Sequence, residues 1–230
     1  TDVHVHLREP GATHKEDWLS GTSAALAGGF TAVLAMPNTQ PPITSPGAFE
    51  TALSLAEQKA VCDYGQYLGA SLTNAAEISR LAGKSAGLKM YLDSTYGELK
   101  LDSMDSWLRH FEQWPMDKPI AAHAETTSLA AVILLSDLYD RPIHLCHVSR
   151  KQEMAVIRKA KDKGLKVTCE VTPHHLFLSQ EDIPTIGLGN IDLIVPIIQG
   201  GAARRLNVPV SNVQVYAVMH HHHFGSFIKH

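Results

Sequence analysis

Short apolar runs alternate with helical patterns along most of the chain, and this alternation is its most constraining feature. The strand candidates are residues 3–7, 30–36, 62–69, 87–92, 119–123, 143–148 and 166–171. The helix candidates are residues 15–27, 46–59, 74–81, 101–113, 126–138, 151–163 and 176–183. A repeated strand-then-helix order predicts a parallel sheet whose strands are joined by right-handed crossovers.

The spacing of the units favours a barrel of the α/β class. Each strand-and-helix unit takes roughly 26 residues, which is the pace of a (β/α)8 barrel. Polar residues also cluster at the carboxyl ends of nearly every predicted strand, where barrels of this type carry their sites. An open, doubly wound sheet is the competing architecture. We therefore predict a TIM-like barrel that is incomplete, with about seven recognisable βα units.

Charge and hydropathy argue against several other classes of protein. The chain has 20 Lys+Arg against 23 Asp+Glu and a formal net charge of −3, which gives no basic surface for a nucleic acid or an anionic membrane. No apolar run approaches the ~18 residues that cross a bilayer. Three cysteines cannot all pair with one another, which disfavours a secreted disulfide scaffold and favours a cytoplasmic location.

The last part of the chain departs from the alternating pattern. Residues 187–230 hold only four charged side chains, show no amphipathic helix and include four consecutive histidines at 220–223. We expect a truncated barrel domain at 1–186. A divergent or frameshifted tail is expected at 187–230, and it is not a separate domain.

The first strand candidate carries the strongest chemical signal. His4, His6 and Arg8 alternate with Val3, Val5 and Leu7. In a strand, residues two apart lie on one face, about 7 Å apart. Two imidazoles placed in this way can converge on a divalent cation, and the guanidinium beyond them can pair with a carboxylate. The alternative is a polar edge strand, which the fully apolar opposite face disfavours.

A lysine in an otherwise apolar strand is the second signal. Lys89 lies in the run Gly-Leu-Lys-Met-Tyr-Leu at 87–92. An ammonium group without a partner is costly to bury. A neutral amine near metal ions can react with CO₂ to give a carbamate, which can bridge two cations. On this strand alone, a lysine at the strand mouth that reaches solvent or pairs with a carboxylate is the simpler interpretation.

Two more histidines end strand candidates. His123 and His147 stand where barrel enzymes place their ligands. Cys146 and Glu170 could hold a further ion beside His4, or could have hydrogen-bonded structural roles, and the spacing leaves both open.

Neighbouring residues of the same types are interpreted differently. His144 lies three residues before His147, so we expect it to point away from the site. Cys62 and Cys169 are predicted to be small core residues.

Two loops supply candidate substrate contacts. Asn38 follows the second strand, and its amide can both donate to and accept from a carboxylate or amide, although an Asn that stabilises a turn is the simpler alternative. Residues 93–98, which include Thr95 and Tyr96, are polar with one glycine. They fit either a mobile lid or an ordinary surface loop.

Several of these motifs, in this order, resemble those of the dihydroorotases of the amidohydrolase superfamily. The segments are Asp2-Val-His-Val-His-Leu-Arg-Glu-Pro-Gly11, Met36-Pro-Asn-Thr39, Gly87-Leu-Lys89, Ala122-His-Ala-Glu125, Cys146-His-Val148 and Pro173-His-His-Leu176. The resemblance covers the chain from Asp2 to about Ile183. It is greatest to the dihydroorotase domain of the multifunctional pyrimidine-synthesis polypeptide of animals.

The resemblance implies a zinc hydrolase of the metal-dependent barrel type. Such an enzyme interconverts N-carbamoyl-L-aspartate and L-dihydroorotate in de novo pyrimidine (UMP) synthesis. By matching, His4 and His6 hold one Zn²⁺, His123 and His147 hold a second, and carboxylated Lys89 bridges the two.

Further positions match family residues. A third Zn²⁺ corresponds to His4, Cys146 and Glu170. The matched substrate contacts are Arg8 and Asn38 on the carboxylate, with Thr95 and Tyr96 on the closing loop. The implied partner is this small-molecule substrate, in a homo-oligomer or in part of a multifunctional polypeptide.

The chain departs from the family at one motif. The family's eighth strand ends in Ser-Asp-His-Ala-Pro-His, whose Asp binds zinc and moves a proton, and no such segment follows His175. We therefore expect this chain to be weakly active or inactive. A non-catalytic dihydroorotase-like scaffold is one alternative, and a hydrolase of the dihydropyrimidinase or allantoinase type is another.

Overall fold

A computed structural model describes residues 1–95, 99–172 and 175. The strands are β1 Asp2–Val5, β2 Ala32–Ala35, β3 Asp63–Gly69, β4 Gly87–Tyr91, β5 Ile120–His123, β6 Ile143–Leu145 and β7 Val167–Cys169. The helices are α1 Trp18–Ala27, α2 Pro46–Lys59, α3 Ala75–Ile78, α4 Met104–Gln113, α5 Thr127–Leu138 and α6 Lys151–Asp162, with a 3₁₀ helix at Ser79–Lys84 after α3. The helix predicted at 176–183 and the tail predicted at 187–230 lie outside the described residues.

The chain divides into two compact units. The first unit contains residues 1–90 and the described part of 94–118, and the second contains residues 91–93, 119–172 and 175. In the first unit, β1 pairs with β2, β2 with β3 and β3 with β4, all parallel. In the second unit, β5 pairs with β6 and β6 with β7, again parallel. Within the described residues, every predicted strand is present and a helix separates each from the next.

Capping residues determine where the first helices begin. α2 spans Pro46–Lys59, as predicted, because the Ser45 hydroxyl accepts a hydrogen bond from the backbone N–H of Ala48 at 3.4 Å. α1 begins at Trp18, three residues later than predicted. Asp17 is its N-cap, with its carboxylate accepting from the Ser20 backbone N–H at 2.7 Å. The residues before Asp17 therefore belong to the loop that follows β1.

The core of the first unit packs against the first strand. Its buried members are Val5, Leu7, Trp18, Ala25, Val33, Ala35 and Ala56. Trp18 at the start of α1 is fully buried, as are Val33 of β2 and Ala56 of α2. Burying a side chain such as that of Val33 contributes about 1.5–3 kcal/mol. This packing anchors β1, from which His4 projects.

None of the helices in the described part of the chain combines the length and the apolar character needed to cross a bilayer.

Candidate functional site

The first unit brings two imidazoles together at the end of its first strand. His4 lies in β1, and His6 follows the strand directly. The Nε2 atoms of the two rings are 3.2 Å apart, and the ring centroids are 5.1 Å apart. His4 is buried and His6 is half-buried. The backbone N–H of His4 donates to the Asp2 carboxylate at 3.1 Å, which steadies the strand.

This separation fits two ligands of one metal ion. Zinc–nitrogen bonds of 2.0–2.1 Å in tetrahedral geometry place two ligand nitrogens about 3.3 Å apart. The Asn38 Oδ1 lies 2.6 Å from the Nδ1 of His6. Because a carbonyl oxygen only accepts, Nδ1 carries the proton and Nε2 keeps its lone pair. The ring of His6 is therefore held in the tautomer that can bind a metal through Nε2.

Arg8 does not extend the strand that carries the histidines. The prediction that His4, His6 and Arg8 share the face of one continuous strand is wrong, because β1 ends at Val5 and Arg8 has a φ of +56°. The carbonyl of Arg8 accepts from the Ala12 N–H at 2.9 Å, so Arg8 lies in a tight turn. The half-buried Arg8 remains a predicted carboxylate contact.

The turn after β1 packs directly on the loop that holds Asn38. Gly11 has a φ of +96°, and a Cβ atom there would lie 2.1 Å from the carbonyl oxygen of Gln40. The Gln40 N–H donates to the Pro10 carbonyl at 3.1 Å. Only glycine fits this contact, because any side chain would push the two loops apart. Asn38 thus has a defined position relative to His6.

Lys89 is fully buried in the first unit. All five residues of β4 are buried, and the exposed fraction of Lys89 is 0%. The residue pairs with Gly69 of β3, and its carbonyl accepts from the Ala70 N–H at 2.9 Å. Full burial removes the alternative in which this lysine reaches solvent.

The second unit contains a second pair of imidazoles, from two different strands. His123 ends β5, and His147 follows β6. Nδ1 of His123 is 3.0 Å from Nε2 of His147, with ring centroids 4.7 Å apart. This separation also approaches that of two ligands on one ion. His147 has a φ of +36°, and its backbone N–H donates to the Glu170 carboxylate at 3.1 Å.

His144 was expected to point away from the site. In the structure it contacts Glu170, the carboxylate that was predicted to belong to the site. Its Nε2–H donates to Glu170 Oε2 at 3.1 Å, and the Thr168 hydroxyl lies 2.9 Å from its Nδ1. Glu170 is fully buried. Both carboxylate oxygens therefore have hydrogen-bond donors, one from His144 and one from the backbone of His147. The contact follows from the strand register, because β6 pairs His144 with Thr168 and Glu170 lies two residues further along the same face.

A second buried carboxylate was not anticipated from the sequence. Glu153, in the first turn of α6, accepts from the Thr126 N–H at 2.8 Å and from the Arg150 N–H at 3.1 Å. It is 3% exposed, and burial raises the pKa of its carboxyl above the usual value despite these hydrogen bonds. The side chain of Arg150 also reaches Glu125 at 3.0 Å. An acidic residue near a helix start normally indicates only a surface cap, so the pattern gave no signal.

The segment after β4 is anchored by an aspartate. The Asp93 carboxylate accepts from the backbone N–H of Glu125 at 2.7 Å and from the hydroxyl of Ser128. Thr95 is half-buried, and Tyr96 lies outside the described residues. The substrate contacts of both stay predictions.

The three cysteines of the chain differ in how far they are buried. Cys146 and Cys169 are buried, and burial raises the pKa of the Cys169 thiol. Cys62 is half-buried at the edge of the first unit's core, so it is a core residue only in part.

Comparison with protein families identifies relatives of the chain. The family model described as dihydro-orotase-like matches residues 1–126. The multifunctional protein CAD of Squalus acanthias is 55% identical over 188 residues, which is 82% of this chain and 8% of that protein. The dihydroorotase of Anoxybacillus flavithermus is 34% identical over 80% of this chain and 50% of its own length. The chain thus spans half of that bacterial relative and a small part of the multifunctional one.

Comparison with solved structures supports the fold. The inactive dihydroorotase-like domain of the Chaetomium thermophilum CAD-like multifunctional protein matches with a TM-score of 0.80 and 28% identity. The match covers 94% of this chain and 62% of that one. This agreement confirms the predicted fold class, an incomplete (β/α)8 barrel of the metal-dependent hydrolase type.

Proposed function

Because this chain belongs to the dihydroorotase family, we propose that it is a zinc-binding domain that interconverts N-carbamoyl-L-aspartate and L-dihydroorotate in pyrimidine synthesis. The observation that carries the proposal is the pairing of imidazoles in both units. His4 and His6 face each other at 3.2 Å, and His123 and His147 at 3.0 Å. Both distances suit two nitrogen ligands on one ion.

The proposed zinc ligands come from both units. His4 and His6 would hold one ion, and His123 and His147 a second, with carboxylated Lys89 shared between them. The full burial of Lys89 supports this assignment, because a bridging carbamate is protected from water. Bound zinc would polarise the amide carbonyl and lower the pKa of a water molecule.

A third zinc ion is a finer proposal that rests on the family match. His4, Cys146 and Glu170 would be its ligands, and all three are buried. Within the second unit, Glu170 already accepts hydrogen bonds from His144 and from the backbone of His147. These contacts would fix the direction in which its carboxylate points.

The substrate carboxylate would be bound by residues of the first unit. Arg8 offers a guanidinium and Asn38 an amide. Because Asn38 Oδ1 is engaged by His6, its amide N–H₂ is the group left to donate to substrate. Thr95 and Tyr96 would close over the bound molecule.

The step that this chain performs least well is proton transfer. The family's proton-moving aspartate belongs to a Ser-Asp-His-Ala-Pro-His segment, which the sequence does not contain. We therefore propose that the chain binds metal and substrate but turns over slowly, or serves as a non-catalytic scaffold. The Chaetomium relative is likewise described as an inactive dihydroorotase-like domain. Membership of a multifunctional polypeptide, a homo-oligomeric state and a cytoplasmic location complete the proposal.

The decisive experiment combines metal analysis with ligand binding. Protein purified with zinc in the buffer is analysed by mass spectrometry of its metals, and dihydroorotate, hydantoin and allantoin are titrated by calorimetry. Two or more zinc ions per chain with binding of dihydroorotate alone are expected. Hydrolysis of hydantoin without binding of dihydroorotate would contradict the proposal and favour a dihydropyrimidinase-type enzyme. Absence of zinc would favour the scaffold.

A further inference from the structure

The contact between His123 and His147 is not set by strand pairing. The parallel ladder between β5 and β6 ends at the pair Ala122 and Leu145, with one more hydrogen bond from the Cys146 N–H to the Ala122 carbonyl at 3.0 Å. His123 is the last residue of β5, one position past that pair, and His147 lies two residues past the end of β6. Their rings nevertheless come within 3.0 Å of each other. Contacts besides the β5–β6 ladder therefore help to hold the segments that follow the two strands.

Both segments contain backbone conformations that L-residues rarely adopt. His147 has a φ of +36°, and Thr126, three residues after His123, has a φ of +50°. A left-handed φ is unfavourable for any residue with a side chain, and especially for β-branched threonine. Such conformations persist only where surrounding contacts hold them.

One buried carboxylate contacts the segment after β5 and the segment after β6. Glu153 Oε1 accepts from the N–H of Thr126 at 2.8 Å, and Oε2 accepts from the N–H of Arg150 at 3.1 Å. Thr126 is the strained residue after His123, and Arg150 lies three residues after His147. We propose that Glu153 is a positioning residue that holds these two segments together and thereby keeps His123 and His147 at ligand distance.

Ordinary helix capping explains only one of the two hydrogen bonds that Glu153 accepts, the one from Arg150. A glutamate in the first turn commonly accepts from the backbone N–H of its own N-cap residue, which here is Arg150. Thr126 precedes α5 and lies 27 residues from Glu153 in sequence. A cap of α6 has no need of that second hydrogen bond. Its presence ties the loop that carries one histidine to the loop that carries the other.

This inference rests on the proposed zinc-binding role of His123 and His147, so the test uses two independent readouts. Glu153→Gln keeps the size of the side chain but offers only one carbonyl oxygen for two backbone donors. Arg150→Gln is the matched control, because it removes the ion pairs of the Arg150 side chain with Glu125 at 3.0 Å and with Glu153 at 3.6 Å, and leaves the two backbone N–H groups bound to Glu153. Both full-length variants are compared with the unchanged chain.

The first readout is zinc affinity, measured by competition with a chromogenic chelator. Loss of a residue that orients metal ligands typically weakens binding by about 10–100-fold. We expect this loss for one zinc ion in Glu153→Gln and no loss in Arg150→Gln. Adding Thr126→Gly to Glu153→Gln should restore part of the affinity, because glycine adopts the positive φ without strain. If Glu153 only capped α6, the substitution Thr126→Gly would not restore zinc affinity to Glu153→Gln.

The second readout uses metal-free protein. Two-dimensional NMR of ¹⁵N-labelled histidine rings detects the hydrogen bond between His123 and His147, with signals assigned from single His→Gln variants. That signal should persist in Arg150→Gln and disappear in Glu153→Gln. If Glu153→Gln does not fold, Glu153→Asp replaces it, because its shorter side chain keeps the charge but cannot reach both donors.

The outcomes separate the two proposals. Unchanged histidine signals and unchanged zinc affinity in folded Glu153→Gln, with only a lower melting temperature, would overturn the positioning role. If no form of the protein binds zinc, the proposed metal-dependent activity is refuted in favour of the scaffold, and the histidine spectra still decide whether Glu153 positions the pair.

Discussion

The two histidine pairs reach similar separations by different means. His4 and His6 are two residues apart in sequence, and the end of one strand is enough to bring their rings together. His123 and His147 come from different strands and meet 24 residues apart. The first pair therefore depends on local backbone geometry, whereas the second depends on tertiary contacts.

The supporting groups of the two pairs lie at different distances along the chain. The first pair has the amide of Asn38 on the ring of His6 and the neighbouring Asp2 carboxylate on the backbone N–H of His4. The second is surrounded by carboxylates, with Glu170 accepting from the backbone of His147 and Glu153 joining the flanking segments. These carboxylates lie 23 and 27 residues from the backbone groups that they bind. The second pair should accordingly be the more sensitive to substitutions away from its rings.

The largest expected effect follows removal of a whole pair. The double variants His4→Ala/His6→Ala and His123→Ala/His147→Ala should each lose one of two zinc ions, because a structural zinc site rarely tolerates loss of two ligands. Metal content measured by mass spectrometry tests this directly. His14→Ala, at an exposed histidine, is the control and should keep both ions. If either double variant keeps full zinc content, that pair is not a metal site.

The next effect concerns the tautomer of His6. Asn38→Ala removes the acceptor of the Nδ1–H and should weaken zinc binding at the first pair by about 10–100-fold. Asn38→Asp keeps an acceptor oxygen and should retain most of the affinity. Competition with a chelator measures both. Equal affinity in Asn38→Ala and the unchanged chain would show that the hydrogen bond does not orient the ligand.

The sequence predicted the local pair, His4 and His6, better than the pair that depends on tertiary contacts, His123 and His147. Period-two alternation at His4 and His6 predicted that their rings meet, although the strand ends at Val5 and Arg8 leaves it. Residue type and position predicted that His123 and His147 stand at strand ends. Their contact could not be derived, because it depends on loop conformations with positive φ that no local pattern encodes.

The fold was more accessible to prediction than the supporting side chains. Strand and helix order, and all fourteen residues of α2, follow from apolar periodicity and from the Ser45-Pro46 cap. The roles of His144 and Glu153 arise from partners 26 and 27 residues away. Such pairings require the register between β6 and β7 and the packing of α6, which sequence periodicity does not specify.

A smaller effect is expected at His144. His144→Phe removes a donor from the buried Glu170 and should lower the free energy of unfolding by about 1–2 kcal/mol, as measured by urea denaturation. Thr168→Val, which removes only the hydroxyl partner of His144, is the control and should change it by less than about 0.5 kcal/mol. An unchanged midpoint in His144→Phe would mean that the contact with Glu170 adds nothing to stability.

The smallest effect is a pH dependence confined to the first unit. His110 on α4 is buried and its Nε2–H donates to the Ser71 carbonyl at 2.8 Å, and burial lowers the pKa of its imidazole below its usual value. As the pH falls below the ordinary histidine pKa of about 6.5, the unfolded chain takes up this proton before the folded chain does. The free energy of unfolding should therefore be constant above pH 6.5 and decrease below it.

Replacing His110 tests this pH dependence. Urea denaturation at pH 7.5, 6.5 and 5.5 should show a shallower decrease for His110→Gln, whose amide can still donate to Ser71. The exposed His14→Gln should keep the original slope. An identical slope in His110→Gln and the unchanged chain would assign the acid sensitivity to other groups.

Gly11 contacts no proposed ligand, yet its lack of a side chain has a consequence for genetics. Even alanine at this position would collide with the Gln40 carbonyl and displace the loop on which Asn38 stands. A saturation mutagenesis screen that scores zinc content should therefore find position 11 intolerant of every substitution. Missense changes at Gly11 would then resemble loss of a proposed metal ligand, although Gly11 is not itself one.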